Sequence, residues 1–424
     1  MTERNKIRNK VQSEAISAWF DNSCHGYSII SMGVGKSKII AEAINKFMDV
    51  NSHMITKDLD IPILVLVNST FLRDEELPME LEKWGCNYDV KIVCYQTAYK
   101  WQEKRIGLLL ADELDFAISE SAKYLKVLKY NRFLYWFGMT GSMIEKKTEI
   151  FNEIFPDPPF FTYSLKQAQQ DGVLNQTKII LHEVPLTDEV YENTPYGEIK
   201  KYKWIQSKID YYKNVIFDAY EILNNQYSYA HTVIQDAEQA LKKAKALKQY
   251  WESSNGNKNS RKLMLYSLKS TVDYAQTLKE YILSRDNISK VITFSEFTKE
   301  ADTISKYTYH GKSPNNTVIK QFNTGEIREL GVCKKVNRGV NFNGLNHAII
   351  QSYSSGITNA LQGYIGRLVR LEPDETAYIH FLFSSYKEGG VIKYCRNLQW
   401  IQDILSTPEL EHLNTTYFKL EPIK

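Results

Sequence analysis

This 424-residue chain has no disulfide framework to read. Its five cysteines, Cys24, Cys86, Cys94, Cys333 and Cys395, lie far apart and form no Cys-x-x-Cys pair. That spacing also argues against a zinc site and suits a reducing compartment, so a cytoplasmic protein is expected. There is no apolar run near the ~18–20 residues that a membrane helix requires. The opening stretch MTERNKIRNK is charged and lacks an apolar centre, so it does not read as a signal peptide. A large charge excess is missing too: 53 Lys and Arg face 50 Asp and Glu, for a net charge of +3. Total charge therefore implies no polyanionic partner, and any such reading must come from local patches. What the chain does have is length, enough for about two or three domains with real cores.

The stretch Ser31-Met32-Gly33-Val34-Gly35-Lys36-Ser37 organises the rest. A short apolar run at 27–30 precedes it. After it, Ile39, Ile40, Ala43, Ile44 and Phe47 recur at helical spacing. Strand, glycine turn and helix form the setting of a phosphate-binding loop. Glycine lets the backbone bend and brings N–H groups close to phosphate oxygens, and the helix N-terminus adds partial positive charge. Lys36 is expected on the β- and γ-phosphates of ATP, and the Ser37 hydroxyl on Mg²⁺. Ile30 departs from the small residue that the long form of the motif has there.

Residues 10–20 read as a helix, with Val11, Ala15, Ile16 and Trp19 on one face. Gln12 on that helix is either an adenine reader or an exposed helix residue. Residues 61–67 (IPILVLV) are nearly all apolar, which fits a strand buried on both faces of a parallel sheet. Ser69 and Thr70 follow it. Residues 89–95 (DVKIVCY) form a second strand, followed by Gln96 and Thr97. These small polar residues could hold a phosphate backbone or cap helices. Residues 106–111 (IGLLLA) form a third strand that runs straight into Asp112-Glu113-Leu114-Asp115. Two carboxylates beside an apolar strand end are costly unless they meet a cation. Asp112 is expected to hold Mg²⁺, and Glu113 to orient or deprotonate the attacking water. Lys123, Lys126, Lys129 and Arg132 step by three and read as a solvated helix face. Residues 133–139 form a fourth strand ending in Thr140-Gly141-Ser142.

In this order and setting, Gly-x-Gly-Lys-Ser, Asp-Glu-Leu-Asp and Thr-Gly-Ser resemble motifs I, II and III of the superfamily 2 helicases, which couple ATP hydrolysis to movement along DNA or RNA. The resemblance implies a coupling role for Thr140, Gly141 and Ser142. It implies nucleic-acid contacts for Ser69, Thr70, Gln96 and Thr97. It also favours the adenine-reading role of Gln12 and assigns nucleotide contacts to Met32, Gly33, Val34, Gly35, Lys36 and Ser37.

The middle of the chain differs in kind. Between 205 and 223, apolar residues step by 4, 3, 4, 3, 4. Between 230 and 251, after a polar turn, a second stripe steps by 3, 4, 3, 4, 3, 4. Two such stripes predict an antiparallel helical hairpin over about 198–252. It would either brace the two domains or touch the nucleic acid through Lys242, Lys243, Lys245 and Lys248.

From 261 onward, strands and helices alternate again, which predicts a second doubly wound domain. Arg367 and Arg370 are three apart and could reach a γ-phosphate across a cleft. Gln362, Gly366, Arg367 and Arg370 resemble the Gln-x-x-Gly-Arg-x-x-Arg pattern of motif VI in the same superfamily, with one extra residue between the glutamine and the glycine. Gly363 departs from the arginine that many members have after the glutamine. Gly339 and Asn341, in Arg338-Gly339-Val340-Asn341, match motif V and inherit nucleotide contacts.

The expected fold class is α/β: two tandem RecA-like, doubly wound parallel-sheet domains with an inserted helical hairpin. The expected division is 1–170 for the first domain and 171–260 for a linker with the hairpin. The second domain takes 261–390, and 391–424 forms a helical extension. Glu113, Asp112, Lys36, Arg367 and Arg370 are the expected catalytic set, with ATP and Mg²⁺ as cofactors. The activity expected is unwinding or remodelling of DNA, with no membrane partner and a monomeric chain. The compact size resembles the branch-migration and recombination helicases of tailed phages, which implies host cytoplasm and replication or recombination partners. The alternatives are an RNA helicase of the same fold and an ATPase subunit of a larger nuclease.

Overall fold

The computed structural model describes residues 2–56, 58–118, 123–141, 145–153, 155–190, 196–254, 256–257, 259–285, 287–311, 316–333, 342–352, 368, 371–407 and 410–418. Two parallel sheets, each flanked by helices, make up the chain. The first sheet contains β1 (Tyr27–Ile30), β2 (Ile61–Val67), β3 (Lys91–Cys94), β4 (Arg105–Ala111), β5 (Arg132–Thr140) and β6 (Phe161–Tyr163). Their spatial order is β3-β2-β4-β5-β1-β6, all parallel. The apolar runs at 61–67 and 106–111 are the inner strands β2 and β4. They are buried on both faces because helices cover both sides. Helix Glu3–Asp21 lies on one face through Val11, Ala15, Ile16 and Trp19. The Trp19 indole stacks on Phe137 at 5.1 Å, and its Nε1 donates to the Trp136 carbonyl at 2.9 Å. Full burial of a large apolar side chain of this kind stabilises by ~1.5–3 kcal/mol.

The second sheet contains β7 (Gln176–Pro185), β8 (Val291–Ser295), β9 (Thr308–Tyr309), β10 (Glu329–Cys333), β11 (His347–Ile350), β12 (Thr376–Glu388), β13 (Val391–Tyr394) and β14 (Asn414–Phe418). The order is β14-β7-β12-β11-β8-β10-β9, in parallel, with β13 added antiparallel to the end of β12. Two expected boundaries shift here. The segment 176–185, expected in the linker, pairs with β12 along its whole length and belongs to the second sheet. The tail expected to be helical contributes one helix, Arg396–Leu405, and two strands, β13 and β14. A parallel strand buried on both faces reads the same in either sheet, so local sequence does not tell which one it joins.

Helices Glu198–Asn224 and His231–Ser253 form the hairpin, roughly 40 and 35 Å long. Ile205, Ile209, Ala219, Ala237 and Ala244 are buried along it. Its base packs on Met264, Leu265, Leu268 and Cys395 of the second unit, and Tyr227 at the tip is 98% exposed. The stripe at 123–132 is not one helix. It breaks into a 3-10 turn Lys123–Leu125, one helical turn Lys126–Lys129, and the start of β5 at Arg132. No helix among the described residues is long and apolar enough to cross a membrane.

Candidate active site at the C-terminal edge of the first sheet

Sheet order brings the motifs together. Strands β4, β5 and β1 are neighbours, and each ends in polar residues at the same edge. The residues are Asp112 after β4, Thr140 at the end of β5 and the glycine turn after β1. This is the edge where open α/β sheets bind ligands. Strands β2 and β3 continue the edge with Asn68 and Gln96.

The glycine turn is held from behind. Gly33 and Gly35 adopt φ of 86° and 95°, the left-handed region that disfavours other residues. A Cβ on Gly35 would lie 2.7 Å from the Gln12 amide nitrogen. The reason for that closeness is a hydrogen bond: buried Gln12 donates from Nε2 to the Val34 carbonyl at 2.7 Å. Gln12 is thus committed to the loop itself in this structure. Helix Lys36–Asn51 begins at once, so its first amide groups lie beside Lys36 and Ser37. Ser37 is half-buried.

Across the edge, Asp112 is fixed by its backbone. Its N–H donates to the Leu66 carbonyl at 3.0 Å, and its carbonyl accepts from the Tyr95 hydroxyl at 3.0 Å. Its Oδ1 is buried and has no hydrogen-bond partner among the described residues. Burial and then the adjacent Glu113 charge push the Asp112 carboxyl up to about 7, despite the opposing pull of Lys36. Glu113 turns back at φ 48°, a conformation costing roughly 1–2 kcal/mol for a residue with a Cβ. The turn sets its Oε1 2.9 Å from the Lys36 ammonium, with both side chains largely buried. Burial acts to lower the Lys36 pKa, but Glu113, Asp112 and Asp115 together outweigh it, and the net shift is upward.

Behind this pair, Thr140 Oγ1 donates to Asp115 Oδ1 at 3.0 Å, and both residues are fully buried. Gly141 abuts the loop so closely that a Cβ would lie 2.9 Å from Met32 Cγ. The third motif therefore touches both the acidic turn and the glycine turn. Asp115 and Thr140 each lie in a motif, but nothing in the sequence marks them as partners. For Tyr95 the only sequence signal is its place directly after β3.

Further along, Ser69 Oγ accepts from the Leu72 N–H at 3.3 Å and caps the following turn, while Thr70 is exposed. Gln96 Nε2 donates to the Asn68 carbonyl at 2.8 Å, joining the β2 and β3 ends, and Thr97 is exposed. Ser142, Gly339, Asn341, Gln362, Arg367 and Arg370 lie outside the described residues. Next in the chain after Arg370, the Leu371 N–H donates to Asn175 Oδ1, and Arg4 joins Val173 and Glu372 at 3.0 and 2.8 Å, tying the first helix to the second unit.

The donor set fits a magnesium nucleotide. A buried carboxylate oxygen without a partner suits a cation, and a glycine cradle at a helix N-terminus suits phosphate.

Residues 273–372 match the family model of the helicase conserved C-terminal domain. Among solved structures, S. cerevisiae Dbp5 bound to RNA and ADP BeF3 is 12% identical with a TM-score of 0.55, covering 97% of this chain and 89% of that one. The DEAD-box helicase Mss116 bound to ssRNA and UDP-BeF is 12% identical with a TM-score of 0.53, covering 98% and 75%. The Pyrococcus furiosus Hef helicase domain is 13% identical with a TM-score of 0.45, covering 94% and 97%. Among curated protein sequences there is no match. The chain thus has the fold of two RecA-like domains that the Dbp5 and Mss116 structures share, and its second unit carries the helicase C-terminal match.

Proposed function

We propose that this protein is an ATP-dependent superfamily 2 helicase that moves along nucleic acid and unwinds or remodels it. The observation that carries this reading is the meeting of Lys36 and Glu113 at 2.9 Å beside the buried Asp112 Oδ1, which has no partner among the described residues, at the ends of β1 and β4 on either side of β5. Residues 32–37 would hold the triphosphate, with Gln12 supporting the loop. Ser37 and Asp112 would hold Mg²⁺, which supplies charge neutralisation on the phosphate oxygens. From the second unit, Gly339, Asn341, Gln362, Arg367 and Arg370 would complete the nucleotide site.

Glu113 is the proposed base, accepting a proton at its carboxylate from water. In this structure the Lys36 ammonium occupies the Glu113 carboxylate at 2.9 Å. A phosphate competing for the Lys36 ammonium frees that carboxylate, so the base becomes available when substrate arrives. Thr140 and Gly141 sit where a shift of the acidic turn and a shift of the glycine turn reach the same strand end. This supports a coupling role for them, with Ser142 as the next residue. Ser69, Thr70, Gln96 and Thr97 would line the nucleic-acid track, which holds backbone phosphate with little sequence preference. The hairpin at 198–253 is proposed as an accessory element on the second unit.

DNA is the proposed track, on the resemblance to compact DNA helicases, with a role in recombination or repair. The RNA reading is kept because the Dbp5 and Mss116 structures are described as bound to RNA. The test is ATPase rate against a panel of no nucleic acid, single-stranded DNA, duplex DNA, forked DNA and RNA, with Lys36→Ala as the blank. Stimulation by DNA supports the reading, and stimulation by RNA alone moves the track to RNA. A rate indifferent to all of them overturns the helicase assignment.

A further inference from the structure

The basic stripe that sequence periodicity assigns to a solvated helix is arranged otherwise. Lys123 and Lys126 come from the two short turns after the acidic motif; the first packs against the single helical turn Tyr95–Ala98, and the second packs against the first. Tyr99 caps that turn, two residues beyond Thr97, and Lys100 follows it. The Lys123 ammonium lies 4.4 Å from the centre of the Tyr99 ring, and that of Lys100 lies 6.0 Å away. We propose that Lys100 and Lys123, gathered around Tyr99, together with exposed Lys126 on the next turn, form a phosphodiester grip that extends the nucleic-acid track beyond Gln96 and Thr97. This inference rests on the helicase reading and adds residues that none of the motifs named above contains.

Four observations support it. First, two ammonium groups, those of Lys100 and Lys123, lie over one ring. A hydrogen bond from Lys123, and then the charges of Lys123, Lys100 and Lys126, hold the Tyr99 phenol below its usual range. Second, none of these three lysines forms an ion pair among the described residues. Lys6, Lys83 and Lys104 elsewhere on the first domain each face a carboxylate. Like charges gathered without a counterion among the described residues raise the local positive potential and favour an anion from solution. Third, the cluster includes flat rings: Tyr99 meets Tyr124 edge-on at 5.6 Å, and Tyr124 stacks on Phe116 at 5.3 Å. Lysines interleaved with aromatic faces are the chemistry of single-strand binding. Fourth, the rings continue to the catalytic edge. Phe116 touches Tyr95 at 5.8 Å, and the Tyr95 hydroxyl holds the Asp112 carbonyl. The grip and the acidic turn therefore belong to one packed column.

The test is fluorescence anisotropy with labelled oligo-dT and oligo-U of about 20 nucleotides, titrated at several salt concentrations. The parent chain is compared with a Lys100→Ala, Lys123→Ala, Lys126→Ala triple variant. Each single-strand phosphate contact contributes roughly 0.7 to the slope of log affinity against log salt, so the triple variant should lose about 2 from that slope. Affinity at low salt should fall about tenfold or more, while binding of a fluorescent nucleotide is unchanged. Equal losses on both oligomers support the grip on either backbone, and a loss on one alone assigns the grip to that polymer. If the alanine variant melts early, the glutamine triple, which keeps side-chain length, replaces it. An unchanged slope overturns the grip and leaves the helicase reading intact. Failure of the parent chain to bind either oligomer overturns both.

Discussion

Lys36 and Glu113 are 77 positions apart in the chain and 2.9 Å apart in space. Each belongs to a different motif, and the left-handed turn at Glu113 is what closes the gap. The pair places the proposed base under the control of the residue expected to bind phosphate. Glu113→Gln should therefore retain nucleotide affinity within a few-fold and lose turnover by about 10²–10⁴. Equilibrium binding of a fluorescent nucleotide and steady-state phosphate release measure the two halves. Turnover that survives in the variant assigns the base elsewhere.

Gly35 has two reasons to be glycine, its φ of 95° and the Gln12 amide 2.7 Å from any Cβ. Gly35→Ala should cost about 1–2 kcal/mol in stability for the left-handed backbone alone. It should also displace Gln12 from the Val34 carbonyl and weaken nucleotide binding by tenfold or more. Adding Gln12→Ala removes the collision but not the strained φ, so the double variant should recover only part of the stability. Full recovery would mean that the collision alone mattered.

Thr140 and Asp115 share a buried hydrogen bond. Thr140→Val keeps the shape and removes the donor, at an expected cost of about 1–3 kcal/mol in urea unfolding. If Thr140 also couples the nucleotide site to the track, nucleic-acid stimulation of the ATPase should fall more than the basal rate does. A loss of stability with an unchanged stimulation ratio would make the bond purely structural.

The second sheet contains a row of imidazoles. The Tyr274 hydroxyl lies 2.9 Å from His182 Nδ1, His182 Nε2 2.9 Å from His380 Nδ1, and His380 Nε2 3.0 Å from His347 Nδ1. Burial holds His182 down to about 4, and burial followed by its two neighbours holds His380 well below the usual range. Both rings stay neutral in the folded chain but take up protons near 6.5 when it unfolds. The unfolded state then binds more protons, so stability should fall as pH drops from about 6.5 to about 4. His182 alone accounts for up to about 3 kcal/mol of that fall. Thermal melts between pH 7.5 and 4.5 test this: His182→Gln should lose less on acidification than the parent. Parallel curves would show that the row does not set acid sensitivity.

Much of this protein is legible along the chain. The runs at 61–67 and 106–111 are the buried strands that their composition predicts, and the heptad-like stripes at 205–223 and 230–251 are the hairpin arms. These features depend on residues within one turn or one strand of each other, so local periodicity records them. The positions of Lys36, Asp112 and Thr140 could be read as well, because each directly follows a strand and strand ends in a doubly wound sheet share an edge. The tertiary structure alone decided the rest. It placed β7 and β14 in the second sheet, turned Gln12 onto the Val34 carbonyl, folded Glu113 back to Lys36, and gathered Lys100 with Lys123 around Tyr99. Each of these depends on strand order, on a backbone angle forced by packing, or on contacts between residues more than twenty positions apart. No sequence period encodes such choices, because sheet order is settled by the packing free energy of the whole domain rather than by any one segment.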